Sequence, residues 1–497
     1  MFIVTNMWIT VVIALVAIYI IVAVLVSRSR ANKGPRPPEY PGALPLIGHG
    51  HLFGSGNSDA FWLLLQDCYR FANSNSGVAG LRIVQTQYYM VTDPDDCVTL
   101  ANTALDKDVV YDFMKPFLGE GLLTATVPIW KIHRKLLTPA FSQGVLDGFI
   151  GVFNSQSKKL VSSLNQEDGK KPFDFWTYIG PNALETICLT AMGGATTDDR
   201  LTSKYMRATE NLYNIIVSRF QRFWLHNNFV FNLTSLGRRQ KKYIKMANGV
   251  TSAVLERRKN ELVNGTPNSE ENSGKKLKAF IDLIIEYSGE RGLLSDQEIR
   301  EEVSTIIIAG HDTSASTIVY TLVLLGSHPE IQERVFKEID EVLGDRDVEK
   351  QDLPKLVFVE AVLKEALRLY PIAPFIVRRL TESLKLKHYT LPAGSSAFLA
   401  IHALHRHKMW GDDAEHFLPD RWLDKNRIPE HQAAFAAFSL GRRMCIGKNY
   451  ALMNMKTTLA HLIRSFRFKS NISELKLKID LMLKPHAGHY IAVERRM

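Results

Sequence analysis

The chain has 497 residues, 46% of them hydrophobic, and a formal net charge of +10. This allows a large core in two or three ordinary domains or in one large one. The four cysteines are far apart and form no CxxC pair, which argues against structural disulfides and indicates a reducing compartment. The charge is compatible with an anionic membrane or an acidic protein, but without zinc-finger spacing or a long basic run we expect no nucleic-acid partner.

The N-terminal segment predicts a membrane anchor. Residues 2–26 contain no charged side chain, and residues 8–26 are almost all aliphatic, which is long enough to cross hydrocarbon as a helix. A cleaved signal peptide would have a basic start and a shorter apolar stretch, and a mitochondrial transit peptide would be Arg-rich. Lys and Arg follow the segment but do not precede it, so we expect the rest of the chain on the cytosolic side.

The remaining patterns predict one mainly α-helical domain with small β-sheets. After the anchor at 1–26, a basic, Pro-rich connector at 27–45 leads into a globular domain at 46–497, without internal repeats or a second anchor. A near match to GxGxxG at 48–53 has Phe in place of the last Gly and follows no strand, so no nicotinamide or flavin site is expected. The predicted elements are a hairpin of Leu81–Val84 and Tyr88–Val91, a helix opened by Asp93-Pro94, a flexible loop at Asn264–Lys276, a long helix capped by Ser295 and Glu298 and ending near Gly326, and strands at Leu384–His388, Ala397–His402 and Tyr490–Val493.

The segment Phe-Ser-Leu-Gly-Arg-Arg-Met-Cys-Ile-Gly at 438–447 contains the strongest chemical signal. We expect Gly441 and Gly447 to permit a tight loop where a side chain would clash. The helix that follows would offer free N–H groups to a Cys445 thiolate, and the arginines could pair with carboxylates. This suits a soft iron ligand beside haem propionates. The alternative is a buried, inert cysteine in a Gly-bounded turn.

Ala309-Gly-His-Asp-Thr313, midway along the long predicted helix, suggests oxygen chemistry. Gly310 would let a flat ligand approach, Thr313 can bond back to a carbonyl, and Asp312 beside that alcohol offers a proton route. The alternative is a packing seam of small residues with Asp312 satisfied by a buried partner.

Two further pairs have ordinary explanations when taken singly, and one arginine has a neighbour that could replace it. Glu365 and Arg368 are three residues apart, as in a solvated surface pair, and Trp130 with Arg134 suits a basic helical face. Arg378 follows Pro374, with Arg379 directly beside it.

Taken together, these strings resemble the cytochrome P450 family. Phe-x-x-Gly-x-Arg-x-Cys-x-Gly matches that family's haem loop at all five fixed positions. Five motifs occur in the family order: Trp130/Arg134, Ala309–Thr313, Glu365/Arg368, Phe417–Arg421 and Phe438–Gly447. Finer strings, such as His133–Phe141, resemble the animal family-four clan. The resemblance implies catalytic Thr313 and Asp312, Cys445 as metal ligand, cofactor-binding Phe438, Gly447, Arg443, Trp130, Arg134, Arg378 and Ala309, and a buried structural network of Glu365, Arg368 and Arg421.

The resemblance also implies a function and a location. We expect a haem-thiolate monooxygenase on the cytosolic face of the endoplasmic reticulum membrane, single-pass, acting on a hydrophobic substrate such as a fatty acid, terpenoid or xenobiotic. NADPH–cytochrome P450 reductase, and cytochrome b5 as a further candidate, would dock on a basic face of Arg442, Arg443 and Lys448. The aromatic stretch from Phe220 to Phe231 corresponds to lid helices that touch the bilayer.

One departure affects the cofactor and the substrate. Many family-four fatty-acid hydroxylases have Glu where this chain has Ala309, and that Glu can form an ester to the haem. We therefore expect non-covalent haem b, and terminal fatty-acid hydroxylation is less strongly implied.

Three other functions stay open at the level of sequence. A haem-thiolate isomerase or peroxide rearranger would need no reductase, although Asp312 and Thr313 argue against it. A non-catalytic carrier of haem or a hydrophobic ligand could share the fold. Hydrolysis by a cysteine nucleophile lacks an oriented base for Cys445.

Overall fold

A computed structural model describes residues 35–54, 58–193, 199–263, 279–289 and 294–496, together with Ala17. The predicted anchor, the first part of the connector and the predicted loop at 264–276 lie outside the described residues, apart from Ala17. Within the connector, Tyr40 N–H donates to the Gly80 carbonyl and Gly80 N–H donates to the Pro38 carbonyl. The end of the connector is therefore joined to the edge of the first strand.

Helices make up most of the described chain. They are α1 Gly50–Phe53, α2 Ser58–Asn73, α3 Pro94–Thr103, α4 Val109–Asp112, α5 Lys115–Leu118, α6 Val127–Leu137, α7 Gln143–Asp147, α8 Ile150–Leu164, α9 Trp176–Met192, α10 Asp199–Gln221, α11 Asn228–Leu233, α12 Ser235–Val263, α13 Phe280–Gly289, α14 Asp296–Ser327, α15 Pro329–Leu343, α16 Val357–Leu369, α17 Ile401–Leu404 and α18 Lys448–Ser465.

The strands form small sheets at the sides of the helical body. They are β1 Val78–Ile83, β2 Thr86–Val91, β3 Phe173–Asp174, β4 Ile376–Arg379, β5 Leu384–Lys385, β6 Thr390–Leu391, β7 Ser396–Leu399, β8 Phe466–Lys469, β9 Leu477–Asp480, β10 Met482–Pro485 and β11 Tyr490–Arg495. The largest sheet has the order β1-β2-β7-β4, in which β2 and β7 run parallel and the other neighbours antiparallel. The remaining sheets are β3-β11-β8, β9-β10 and β5-β6.

The long helix α14 crosses the core. Its start is fixed by the predicted capping box, in which the Ser295 side chain accepts from the Glu298 N–H and Glu298 bonds back. It is long and apolar enough to cross a membrane, but 83% of its most apolar stretch is buried inside the protein. α14 packs against α9, α16 and α18 within the main hydrophobic cluster, so it is a core helix.

Most predicted elements are confirmed, with two corrections in the β-rich part. The hairpin, the helix capped by Asp93 and the strand near Tyr490 are present. The predicted strand at 397–402 is wrong beyond Leu399, because the chain turns there into α17. The strand predicted at 384–388 is limited to Leu384–Lys385.

Candidate active site

The loop that carries Cys445 is closed by its own backbone. The Cys445 N–H donates to the Phe438 carbonyl at 2.9 Å. Ser439 and Gly441 both have a φ of +67°, and a Cβ on Gly441 would lie 2.7 Å from the Ala101 carbonyl oxygen. Gly441 is therefore required both by its conformation and by the close approach of α3.

Gly447 has a different role from the one predicted. Its φ is −87°, and an added Cβ would lie no closer than 3.9 Å to the Cys445 Sγ. The expectation that a side chain would clash there is wrong. Gly447 precedes α18, and its N–H hydrogen-bonds to Cys445. What this position contributes is a backbone donor to the sulfur.

The Cys445 side chain is accessible although it lies deep in the fold, so it faces an internal space. Burial raises the pKa of this thiol, whereas the Gly447 N–H and the positive charges of Arg134 and Lys448 act in the opposite direction. Arg134 also ties α6 to the loop, because its Nη1 donates to the Met444 carbonyl at 2.9 Å. The sulfur therefore lies among donors and cations that suit a thiolate ligand.

Three cations form a second feature of the interior, which we call the unpaired cluster: Lys107, Arg378 and Arg443. Arg378 is 1% exposed and Arg443 is 8% exposed, and Nε and Nη1 of both have no hydrogen-bond partner. The backbone of Lys107 forms an isolated antiparallel β-bridge with the backbone of Arg378. Burial, together with the charges of Arg378 and Arg443, lowers the pKa of the Lys107 ammonium group. Burial and Arg378 lower the pKa of Arg443 to about 10. None of the three forms an ion pair with a described carboxylate.

Buried, unneutralised cations are costly unless an anion joins them. Two haem propionates would supply two carboxylates, and the unsatisfied guanidinium N–H groups are suitable donors for them. The residues present therefore fit haem, with Cys445 available as the axial ligand. Lys107 was missed by sequence reasoning, because no motif marks it and only the bridge to β4 brings it here.

Trp130 and Arg443 lie in contact. The Arg443 guanidinium carbon is 4.6 Å from the centre of the Trp130 ring, and its Nη2 donates to the Ala125 carbonyl at 2.9 Å. These contacts fix the guanidinium while leaving its other donors free. Arg443 is therefore buried and cannot belong to the predicted docking face, whereas Arg442 is exposed and Lys448 half-buried.

Glu365, Arg368 and Arg421 form the contrasting paired cluster, all at most 1% exposed. Glu365 Oε1 accepts from Arg421 Nε at 2.9 Å, and Oε2 accepts from Arg368 Nε at 2.8 Å. Arg368 Nη1 donates to the His405 carbonyl at 2.8 Å, and His405 Nε2 accepts the Ala436 N–H at 2.9 Å. Burial and Arg368 lower the pKa of His405 to about 3, which keeps it neutral. The paired cluster is thus connected to the start of the Cys445 loop.

One face of α14 opens toward the interior. Ala309 is exposed and Thr313 half-exposed, whereas Ile308 and Asp312 are buried. The Thr313 Oγ1 donates to the Ala309 carbonyl at 2.6 Å, as predicted. Gly310 does not serve a ligand, because a Cβ there would lie 2.6 Å from Ile187 Cδ1 of α9. At Gly310 the packing-seam interpretation is the correct one.

Asp312 points away from that face. It is 1% exposed, and one of its oxygens lies 3.2 Å from Nζ of Lys484 on β10. Lys484, whose side chain is 12% exposed, is therefore a charged partner for Asp312, although neither oxygen of Asp312 accepts a hydrogen bond. Lys484 was not found from sequence. A second missed pair is His133 and Glu302, buried and 2.7 Å apart, which joins α6 to α14.

The aromatic stretch from 220 to 231 divides into two groups. Leu225 and Phe231 are buried, whereas Trp224 and Phe229 are exposed. Trp224 and Phe229 therefore belong to the protein surface, and Leu225 and Phe231 belong to the core beneath it.

Comparison with known proteins agrees with this site. The family model for cytochrome P450 matches residues 37–491. Cytochrome P450 4V2 of Rattus norvegicus is 34% identical over 96% of this chain and 93% of its own length. Cytochrome P450 4c3 of Drosophila melanogaster is 32% identical over 94% of this chain and 91% of its own length. The probable cytochrome P450 4s3 of that species is 37% identical over 76% of this chain and 77% of its own length. The chain belongs to the cytochrome P450 family and is a haem-thiolate monooxygenase with similarity to family 4 members along nearly its whole length.

Proposed function

We propose that this chain inserts one oxygen atom of O₂ into a hydrophobic organic substrate, such as a fatty acid, terpenoid or xenobiotic. Electrons would come from NADPH–cytochrome P450 reductase. The observation that carries this proposal is the combination of an accessible, deeply placed Cys445 with the unpaired cluster and the open face of α14. Thiolate ligand, propionate cations and a helix face bearing an alcohol are the protein parts that haem oxygen chemistry needs.

Haem bound through Cys445 would supply the oxygen-activating chemistry. The chain's own residues orient the group and keep water away from it. Arg443, Arg378 and Lys107 would hold the propionates, Trp130 fixes Arg443 from one side, and Phe438 closes the ligand loop through its carbonyl. The Gly447 N–H hydrogen bond favours the thiolate form of Cys445.

Thr313 and Asp312 would deliver protons. The Thr313 hydroxyl is held on the open face of α14 by the Ala309 carbonyl, and Asp312 lies on the neighbouring, buried side beside Lys484. A carboxylate next to a fixed hydroxyl can pass protons inward through water. Ala309 presents only a methyl group and cannot form an ester, so the haem would be bound non-covalently.

Removing the Thr313 hydroxyl tests this proton route. We expect Thr313→Ala to divert reducing equivalents to hydrogen peroxide and to raise peroxide per product by about 100-fold, the lower end of the range that general acid–base catalysis contributes. Substrate affinity, measured by spectral titration, should change little. Unchanged coupling of NADPH use to product would remove Thr313 from the route.

The proposed partners fit the exposed side of the Cys445 loop. Lys131, Ile132, Arg442 and Met444 are exposed there, and they present a basic rim around apolar side chains. An acidic reductase, or cytochrome b5, would dock on such a surface. The proposed location is the cytosolic face of the endoplasmic reticulum membrane, with residues 1–26 as the anchor and 46–497 as the catalytic domain.

The decisive experiment combines the full chain with reductase and NADPH. A spectral screen across fatty acids, terpenoids and plant toxins would identify binders, and isotopically labelled O₂ should place one labelled atom in the product. Binding without product would indicate a carrier, and turnover of a hydroperoxide without NADPH would indicate an isomerase.

Cys445→Ala tests the ligand. Because the thiolate determines the absorption of the reduced carbon monoxide complex, we expect the characteristic band to disappear and turnover to be lost. Arg442→Ala, at an exposed neighbour, should keep the band. An unchanged spectrum in Cys445→Ala would refute the assignment.

A further inference from the structure

The unpaired cluster contains three cations, whereas haem would bring only two carboxylates to it. Arg378 lies on β4, Arg443 lies in the Cys445 loop, and Lys107 lies just before α4. Two propionates can neutralise two of these three side chains. One positive charge is then in excess at a buried place, where an uncompensated charge is costly. Release of one proton from the cluster would remove this excess.

Lys107 is the member of the cluster that can release a proton. Guanidinium groups stay protonated in proteins, whereas a buried ammonium group readily loses its proton. The Lys107 side chain is also held in place, because its backbone bridges Arg378 and its Nζ lies 4.3 Å from the centre of the Tyr111 ring. The ring face supports a cation but cannot neutralise it.

The other titratable groups near Lys107 do not take over this role. The charge of Asp106 acts on Arg443, but Asp106 forms no ion pair with the cluster among the described residues. Asp108 is buried, and its oxygens already accept hydrogen bonds from α4 and from β7. Burial raises the pKa of Tyr111, so this phenol stays neutral near neutral pH. Lys107 is therefore the group whose charge can change without breaking an existing pair.

We propose that Lys107 takes up a proton when the haem iron is reduced, so that electron entry and proton uptake are coupled at the propionates. Reduction adds one electron to the iron and makes the bound group more negative by one charge. A more negative group attracts a cation more strongly, and this attraction is larger inside the protein than in water. The electron comes from the reductase or from a chemical reductant, and the proton passes from solvent to the Lys107 amine. The inference rests on the haem site proposed above and gives one of its cations a second role.

The coupling predicts a midpoint potential that depends on pH. Because the reduced protein binds the proton more tightly, the potential should fall as pH rises through the range in which Lys107 titrates. A tenfold difference in proton affinity between the two oxidation states corresponds to about 59 mV for one electron. We expect a difference of this order between the acidic and the alkaline limit in the unchanged protein.

The test measures the midpoint potential of the full-length, haem-loaded protein by spectroelectrochemistry from mildly acidic to mildly alkaline pH. Lys107→Arg keeps a cation that does not titrate, and Lys107→Met removes the cation. The unchanged protein should follow Lys107→Arg at the acidic end and Lys107→Met at the alkaline end. Both variants should show only the weaker pH dependence of the remaining groups. Lys171→Met, at an exposed lysine, should behave like the unchanged protein.

The proton can also be counted directly. Photoreduction in weakly buffered solution with a pH-indicator dye should show uptake of up to about one proton per haem in the unchanged protein, and less in both Lys107 variants. The same pH dependence in all the variants would overturn the proposal. Absence of proton uptake in the unchanged protein would also overturn it, even where a variant loses haem. An unchanged protein without the carbon monoxide band of thiolate-bound haem would instead overturn the proposed function.

Discussion

Two groups of buried cations in this fold have the same chemistry and opposite surroundings. In the paired cluster, both oxygens of Glu365 are occupied by guanidinium donors from Arg368 and Arg421. In the unpaired cluster, Arg378 and Arg443 are buried nearly as completely as Arg368 and Arg421. Several of their N–H groups nevertheless have no hydrogen-bond partner.

The difference separates groups that hold the fold from groups that await a ligand. A buried ion pair whose donors and acceptors are all used is internally satisfied. A buried cation without an anion is expensive, and it is retained where a bound anion satisfies it. We therefore expect substitutions in the paired cluster to act on stability, and those in the unpaired cluster to act on haem retention.

The largest effect is expected for Glu365→Gln. Because the change leaves Arg368 and Arg421 buried without a carboxylate, it should destabilise the protein by about 3–5 kcal/mol. Denaturant unfolding followed by circular dichroism of the detergent-solubilised chain would measure this. The control is Glu415→Gln, whose carboxylate pairs with Arg406 but is 69% exposed, and which should cost about 0–1 kcal/mol. Equal effects of the two variants would contradict the structural role of the paired cluster.

A smaller and qualitatively different effect is expected for Arg443→Met. The loss of charge-assisted donors should speed haem loss by about 10–100-fold. Stability of the polypeptide should hold or rise, because a buried unpaired charge is removed. Transfer of haem to an excess of a soluble haem acceptor would measure the rate, and Arg442→Met, at the exposed neighbour, is the matched control. A loss of stability without faster haem loss would assign Arg443 to the fold instead.

Sequence reasoning was most successful where chemistry lies in a contiguous string. The capping box of α14 and the bond from Thr313 to the Ala309 carbonyl depend on residues three or four apart. For Glu365 and Arg368, spacing alone indicated a solvated surface pair, which is wrong because both are buried; the buried network was implied by the family resemblance. Local spacing on a helix determines which side chains meet. The resemblance of the same strings to one family supplied the cofactor, and the family comparison confirms it.

The sequence was least informative where distant elements meet. Lys107 reaches the unpaired cluster through a bridge to β4, and Lys484 reaches Asp312 from a strand 172 positions further along the chain. The ligand-facing role of Gly310 and the assignment of Arg443 to the docking face were wrong for the same reason, because a single position does not reveal which neighbour it faces. Only packing against α9 and Trp130 determines those directions.

The pair of His133 and Glu302 is intermediate between the paired and the unpaired cluster. Whether these two side chains carry opposite charges depends on pH. Burial alone would lower the pKa of His133, but the hydrogen bond and charge of Glu302 raise it above its ordinary value. Burial also raises the pKa of Glu302, against the hydrogen bond from His133. Both groups thus hold protons more tightly in the folded protein. The stability that His133 contributes is present below the ordinary histidine value of about 6.5 and is lost as pH rises through its raised pKa. The contribution of Glu302 is present below the ordinary glutamate value and is lost as pH rises through the raised pKa of that carboxyl.

The smallest predicted effect follows from this titration. Between about pH 6 and pH 8, the thermal midpoint should fall by about 1–2 °C more in the unchanged protein than in His133→Gln, which cannot titrate. Glu302 also accepts the Leu122 N–H at 3.1 Å, so the same pH change should speed hydrogen exchange in the loop at 119–125. His388→Gln, at an exposed histidine, is the control. Identical pH dependence in all three proteins would show that the His133–Glu302 pair, unlike the paired cluster, contributes no net charge interaction to folding.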